Sequence, residues 1–365
     1  MTFLERVLDP PSYGFQKNGK LYVPSNRELF GEFFRRLNIF SSVKNWLSLF
    51  GWATSLSFAI PLYFFLTRYV SIWLMLVGFV YSMVLMGSHG TFWLHRYCTH
   101  RAFKFKNRFL TLICRNFVIK VIPEETYVIS HYVHHQFSEQ PGDPYNAHAG
   151  WLYCFLADVN HQSIRKDLSV EDYDHLCRLM SHTGVKLNTY AQYQRWGSLC
   201  HPLYTAGHFL LNWVFWYGTF YFIGGHALAT AIFGWASIWA FGVRTFNYEG
   251  HGRGKDRRRD GVDFNRSDRS VNQTWPGYVA GEWHNNHHLY PNGARSGFQT
   301  YQLDLPWLLI RVLSSVGVVA SYRDYRKDFL RDHYDPWLKA HKSAKSLEKV
   351  KAAQNRPRQK LGKIY

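Results

Sequence analysis

The hydrophobic residues of this 365-residue chain fall into four long runs that contain almost no charge. Residues 46–67 carry no charged side chain over about 22 positions, and at 1.5 Å per helical residue this is enough to cross a hydrocarbon core of roughly 30 Å. Residues 70–92 form a second run, and residues 204–223 and 227–246 form a third and a fourth. Two glycines separate the last two runs and predict a turn. The pattern predicts four transmembrane helices in two hairpins.

Four crossings place both ends of the chain, and the segment between the hairpins, on one side of the membrane. Lys and Arg are concentrated in these regions, so the positive-inside rule predicts that this side faces the cytoplasm. We expect a multi-pass protein of a bacterial inner membrane or of the endoplasmic reticulum. The predicted parts are a leader with an interfacial helix (1–45), the first hairpin (46–92), a first cytosolic cap part (93–203), the second hairpin (204–246), a second cap part (247–338) and a basic tail (339–365).

Shorter amphipathic segments accompany these runs. Ser25 and Glu28 have the spacing of a capping box, and large apolar residues recur at helical spacing over residues 29–40. Such a helix suits a membrane interface, although a helix on a soluble core would show the same stripe. Residues 109–122 and 305–319 are apolar but short, so they predict interfacial or buried cap helices.

The two ends of the chain have a different composition. Residues 1–24 contain several Pro and Gly residues and predict an irregular leader. The tail from residue 339 onward is basic and poor in large apolar residues, which predicts a solvated helix that frays into disorder.

Overall composition supports a membrane protein with a large polar part. Hydrophobic residues make up 47% of the chain, yet its mean hydropathy is slightly negative, so the apolar residues are concentrated in segments. The net charge of +18 suits nucleic acid, anionic lipid or an acidic protein. We find no nucleic-acid-binding motif and expect no such partner. The five cysteines are odd in number, without C-x-x-C spacing, and are expected to be reduced.

Histidine carries the strongest chemical signal. Residues 131–135 (His-Tyr-Val-His-His) and 284–288 (His-Asn-Asn-His-His) each place three imidazoles at positions i, i+3 and i+4, on one face of a helix. Another pair ends the second apolar run, and a single histidine follows the fourth. The nine candidate metal ligands are His95, His100, His131, His134, His135, His251, His284, His287 and His288.

The number and spacing of these histidines predict two neighbouring metals. Even the eight imidazoles of the three clusters exceed what one first-row metal accepts. Each triad can divide its imidazoles between the two sites. His95 and His100 are five residues apart, which on an ideal α-helix turns their side chains about 140° from each other. Either they serve two different metals, or one of them lies beyond the helix end.

The identity of the metal follows from its surroundings. Imidazole binds iron, zinc, copper and nickel, and composition does not choose among them. A site beside an apolar membrane interior favours iron, because oxygen activation against a lipid C–H bond needs redox chemistry that zinc lacks. A metal transporter is the alternative, but its ligands should lie near the midplane of its helices, not at their exits. Four acids, Glu139, Asp143, Glu249 and Glu282, are expected either to orient imidazole N–H groups or to cap helices.

These motifs resemble the three histidine boxes of the integral-membrane fatty acyl desaturases, and they are most similar to the stearoyl-CoA (delta-9) branch. The flanking residues 99–104 (Thr-His-Arg-Ala-Phe-Lys), 137–139, 143–144 and 281–282 match as well. The resemblance implies an all-α membrane protein with four transmembrane helices in two hairpins and a helical cytosolic cap carrying a histidine-rich di-metal site. It also implies two iron ions.

The resemblance implies a reaction and its partners. The expected reaction introduces a cis double bond into a fatty acyl chain with O2, and Asn247, four residues before the candidate ligand His251, is implied to be catalytic. Acyl-CoA is the expected substrate, with acyl-carrier protein or lipid substrates, hydroxylation and acetylene formation as alternatives. No haem-binding module is visible, so electrons are expected from a separate ferredoxin or cytochrome b5, and the basic cytosolic face suits an acidic partner. The lipid bilayer is the remaining partner.

The sequence departs from the family pattern in three places. Trp283 follows Glu282 directly, where the family usually has one residue between the acid and the aromatic residue. Arg244 stands where related enzymes carry a tryptophan near the thioester. Residues 160–193 match nothing expected from the family.

Overall fold

The computed structural model describes residues 3–162 and 164–343, which are mainly helical. The α-helices are Phe3–Val7, Asn26–Leu37, Trp46–Ser57, Ala59–Phe64, Ile72–Val80, Gly87–Gly90, Arg108–Arg115, Glu124–Phe137, Trp151–Phe155, Ala157–Asn160, Val170–Met180, Tyr190–Trp196, Pro202–Gly242, Phe246–Gly250, Thr274–Ala280, His284–Leu289, Leu305–Ser315 and Arg326–Phe329. Residues 335–343 are also helical. The π-helical stretches are Phe65–Tyr69, Tyr81–Met86, Thr91–Thr99 and Leu330–Tyr334, and the 3-10 turns are Val43–Asn45, Ala147–Ala149, Ser181–Thr183, Val243–Thr245 and Gly252–Gly254.

The described part of the chain also contains four short strands, so the fold is not entirely α-helical as expected. Gln16–Lys17 pairs with Lys20–Leu21, and Phe103–Phe105 pairs with Val319–Tyr322, both antiparallel. The first pair corrects the prediction of an irregular leader. Its two-residue turn has positive φ at both positions, as hairpin turns require.

Three helical segments of the described chain are long and apolar enough to cross a membrane: Val43–Tyr69, Ile72–Thr99 and Pro202–Gly250. The third is interrupted at the predicted Gly-Gly turn, where the backbone leaves helical geometry and Gly225 has φ 65°. The rings of Tyr217 and Phe233, on either side of the turn, have centroids 5.4 Å apart. A straight helix would separate these positions by roughly 24 Å, so the two arms lie side by side.

The arms pack closely against the first apolar helix. A Cβ atom at Gly234 would lie 2.7 Å from the backbone Cα of Leu62, closer than real Cβ contacts come. Small residues at such crossings let helix backbones approach in a membrane. The glycine is therefore required by the packing of the two helices.

The shorter amphipathic segments are only partly as predicted. The capping box is confirmed, because the Ser25 side chain accepts from the Glu28 backbone and Glu28 accepts from Ser25 in return. Helix Asn26–Leu37 buries Phe33 against Trp52 but exposes Phe34, so its apolar residues both pack on the protein and face outward.

The two predicted cap helices are shorter than expected. The one expected over 109–122 ends at Arg115, and the one expected over 305–319 ends at Ser315. Val319 instead begins the strand that pairs with Phe103–Phe105. Of the predicted tail, residues 344–365 lie outside the described residues.

The close crossing at Gly234 gives a test. Gly234→Ala should lower the free energy of unfolding by about 1–3 kcal/mol, because the added methyl group forces two packed helices apart. Gly218→Ala, on the first arm of the same hairpin, should be neutral or slightly stabilising, because an added Cβ atom would meet no described atom within 4 Å there. Thermal unfolding in detergent compares the two variants, and equal transition temperatures would refute the packing role of Gly234.

Candidate metal centre

The structure brings all nine predicted histidines together in two adjacent groups, and within each group the candidate ligand nitrogens lie within 4.8 Å of one another. The first group is His95, His100, His131, His135 and His287. The second group is His134, His251, His284 and His288. A metal bonded to nitrogen at about 2.1 Å holds opposite ligands roughly 4.2 Å apart, so each group has the dimensions of one coordination sphere.

Each triad divides between the two groups, as its spacing allows. On helix Glu124–Phe137, His131 and His135 are one turn apart and join the first group, whereas His134 points to the second. Helix His284–Leu289 sends only His287 to the first group. The groups therefore adjoin, and the ring centroids of His135 and His288 are 4.5 Å apart.

His95 and His100 belong to the same group, so the alternative that they serve two different metals is wrong. The segment Thr91–Thr99 is a π-helix rather than an α-helix, and His100 follows its last residue. The His100 N–H donates to the His95 carbonyl at 3.0 Å, an i+5 to i bond. A π-helix has more residues per turn than an α-helix, so side chains five residues apart lie on nearly the same face of it.

The inner nitrogens face one another without the partners that a buried polar atom needs. The Nε2 atoms of His95 and His135 each lie 2.9 Å from Nε2 of His287. Nε2 of His100 and of His134 are buried and have no hydrogen-bond partner among the described residues. Buried polar atoms are normally satisfied, and a cation between the lone pairs would satisfy these. The residues present fit a pair of metal ions.

Four carboxylates hold the outer nitrogens of these rings. Each accepts from an imidazole Nδ1 at 2.7–3.0 Å: Glu282 from His95, Asp143 from His134, Glu139 from His251 and Asp268 from His288. A carboxylate on Nδ1 fixes the tautomer whose Nε2 lone pair faces inward. The frame therefore presents acceptors, not N–H donors, to the centre of each group.

Three of the four acids expected to orient imidazole N–H groups do so in the structure. Glu139, Asp143 and Glu282 orient imidazoles, but Glu249 does not, since its carboxylate pairs with Arg253 at 2.7 Å. Asp268 was missed. It lies in a loop with no fixed spacing from any histidine cluster, so nothing in the local sequence marks it.

Burial keeps six of the nine imidazoles neutral by lowering their pKa. At His134 the effect of burial is outweighed by the Asp143 carboxylate, which raises the pKa of that ring. Burial first, and then the neighbouring imidazoles, hold the pKa of His287 and the pKa of His135 well below the usual range. A neutral ring keeps the lone pair that binds a metal ion. These rings are therefore ready to bind at neutral pH without losing a proton.

A cavity of about 320 Å³ adjoins both groups. Its apolar wall includes Met83, Leu94, Trp239, Phe246 and Val279. His95 and His131 from the first group and His284 from the second reach this cavity, and Asn247 lies in its wall. The arrangement places two nitrogen-rich sites at the side of a space suited to an apolar molecule.

A smaller and more polar cavity of about 80 Å³ continues from the first. The two share Ile122, Tyr127, Val243 and Asn247. Arg244 lines the smaller cavity, pairs with Asp158 at 2.8 Å and lies over the Trp52 ring at 4.8 Å. The charges of this pair cancel, so the pair offers hydrogen-bonding groups without net charge.

Comparison with known proteins identifies similar sequences. The fatty acid desaturase family model matches residues 71–311, which include all nine histidines. The chain is 25% identical over 242 residues to the palmitoyl-monogalactosyldiacylglycerol delta-7 desaturase of Arabidopsis thaliana, covering 63% of this chain and 56% of the relative. It is 25% identical over 256 residues to the icosanoyl-CoA 5-desaturase of Limnanthes douglasii, covering 67% and 65%. It is 28% identical over 243 residues to the sn-1 stearoyl-lipid 9-desaturase of Anabaena variabilis, covering 63% and 76%.

The carboxylate frame gives a test of metal binding. Asp268→Asn should weaken binding of cobalt(II) at the second group about 10–100-fold, because an amide orients and polarises His288 less than a carboxylate does. Glu249→Gln should bind as the unchanged protein does, since Glu249 contacts no imidazole of either group. Absorbance titration of the metal-free protein measures both affinities. An equal effect in the two variants would contradict the role given to Asp268.

Proposed function

The chain belongs to the fatty acid desaturase family, and from this premise we propose that it is a membrane di-iron enzyme that introduces a cis double bond into a fatty acyl chain. The reaction removes two hydrogen atoms from neighbouring methylene groups. Together with two electrons and two protons from outside, these hydrogens reduce one O2 to two waters. The enzyme is an oxidoreductase of lipid metabolism.

One observation carries this proposal: two adjacent groups of buried imidazoles open onto one apolar cavity. The five histidines of the first group would hold one iron ion and the four of the second group the other. Iron bound there supplies the activation of O2 that breaking an unactivated C–H bond requires. A metal transporter is not favoured, because the ligands lie at helix ends and in the cap.

The residues around the cavity would bind and orient the substrate. The apolar wall excludes water and holds the acyl chain with its methylene groups beside His95 and His284. We assign Asn247 a catalytic place in this wall. Its backbone carbonyl also accepts from the His251 N–H at 3.0 Å, which ties it to the second group.

The membrane arrangement that we propose has four crossings in two hairpins, 46–92 and 204–246. The fold-back of the third apolar segment at its Gly-Gly turn supports the second hairpin. The cap, formed by residues 93–203 and 247–338, would then lie on the cytoplasmic face and would contain every candidate ligand.

The substrate that we propose is an acyl-CoA, with reducing electrons from a separate ferredoxin or cytochrome b5. The polar cavity beside the apolar one supports a substrate with an apolar tail and a polar head. The neutral Arg244–Asp158 pair suits the carbonyl of an ester or thioester better than a free carboxylate. Relatives named for CoA and for lipid substrates are both similar to the chain.

Fatty acid analysis of a host that expresses the chain tests the reaction. Supplied with defined saturated acyl chains, the host should accumulate a monounsaturated product, whose bond position gas chromatography with mass spectrometry will report. His287→Ala should lower product more than about 100-fold, because the ring contacts two others of the first group at 2.9 Å and should bind the metal directly.

His226→Ala is the matched control, because this exposed histidine lies outside both groups. It should leave the product unchanged. Product from His287→Ala at the unchanged level would overturn the site, and a hydroxylated product would change the reaction to hydroxylation.

A further inference from the structure

A strongly basic loop begins two residues after the candidate ligand His251. We call residues 253–259 the basic loop. Its seven residues include five cations and one acid: Arg253, Lys255, Arg257, Arg258, Arg259 and Asp256. Lys255 and Arg257 are exposed, and half of each of the Arg253 and Arg259 side chains is exposed. The exposed segment that follows His251 is therefore positively charged.

The basic loop is held in place beside the site. Gly252 and Gly254 have φ of 62° and 73°, and a Cβ atom at Gly254 would lie 2.8 Å from the Ala147 carbonyl oxygen. The Gly254 N–H donates to the His251 carbonyl at 3.1 Å. The close approach at Gly254 leaves no room for a Cβ atom, so the loop's start is fixed relative to His251.

Two arginines connect this surface to the carboxylates behind the imidazoles. Arg258 donates to the backbone carbonyl of Asp268, whose carboxylate accepts from His288. The Arg269 backbone N–H donates at 2.8 Å to the Glu139 oxygen that accepts from His251. Asp268 thus separates Arg258 of the basic loop from His288. The Arg269 guanidinium donates to the Gly254 carbonyl of the loop, so Arg269 and Glu139 together connect the loop to His251.

From this juxtaposition we propose that the basic loop is the docking surface for an acidic one-electron carrier protein, and that electrons enter through the second histidine group. The inference rests on the proposed function. Each turnover needs two electrons, so two reduced carriers, with an iron–sulfur cluster or a haem, each give up one electron and leave oxidised. A carrier that docks twice per turnover needs fast, weak association, which opposite charges provide.

Charge reversal at the exposed part of the loop tests the proposal. The variant Lys255→Glu with Arg257→Glu should weaken the binding of ferredoxin or of cytochrome b5 to the iron-loaded enzyme in detergent about 10-fold or more. The dependence of Kd on salt concentration should flatten as well, because fewer charge pairs remain to be screened. Iron content and product formed with dithionite as the reductant should stay at the level of the unchanged enzyme.

Lys17→Glu with Lys20→Glu, on the exposed N-terminal hairpin, is the control with the same change of charge. It should bind the carriers as the unchanged enzyme does. An equal loss in both double variants, an unchanged Kd in the loop variant, or no binding of either carrier by the unchanged enzyme would overturn the docking surface. Absence of desaturated product from the unchanged enzyme with every reductant would instead overturn the proposed function.

Discussion

Burying imidazoles with their nitrogens turned toward one another is the constraint on which the rest of the structure depends. A carboxylate behind His95, His134, His251 and His288 places the hydrogen of each ring on its outer nitrogen, so the lone pairs meet inside. Lone pairs that face one another repel, and cations between them turn that repulsion into binding. The hydrogen bonds to these carboxylates therefore keep the imidazole rings in place although their lone pairs repel one another.

Arg96 connects the helix that carries His95 to the segment that carries Glu282 and the third histidine cluster. The residue follows His95 on the second apolar helix, and its buried guanidinium donates to the carboxylate of Asp304 and to the carbonyl of Gly281. Gly281 has φ 65° and no room for a Cβ atom. The next two side chains diverge: Glu282 reaches His95, whereas the Trp283 indole donates to a carbonyl on the other side. The adjacent acid and tryptophan are thus accommodated without an intervening residue.

Sequence reasoning succeeded where a period or spacing reflects local geometry. The four apolar runs fall within the three long helical segments of the structure, and the i, i+3 and i+4 histidines form triads that divide between two groups. It failed where distant segments decide the outcome. The π-helix places His100 beside His95, whereas the geometry of an ideal α-helix predicts that their side chains point about 140° apart. Asp268 contacts His288 only because its loop folds against that ring. Glu249 is an acid two residues before His251, but its carboxylate forms an ion pair with Arg253 instead of contacting an imidazole.

Metal content measured together with activity tests the central claim most directly. Protein purified in detergent from a host grown with iron should hold about two irons per chain by mass spectrometry of the metals, and product formation should rise in proportion to bound iron. Stoichiometric zinc with full activity would contradict a redox centre made by these nine histidines.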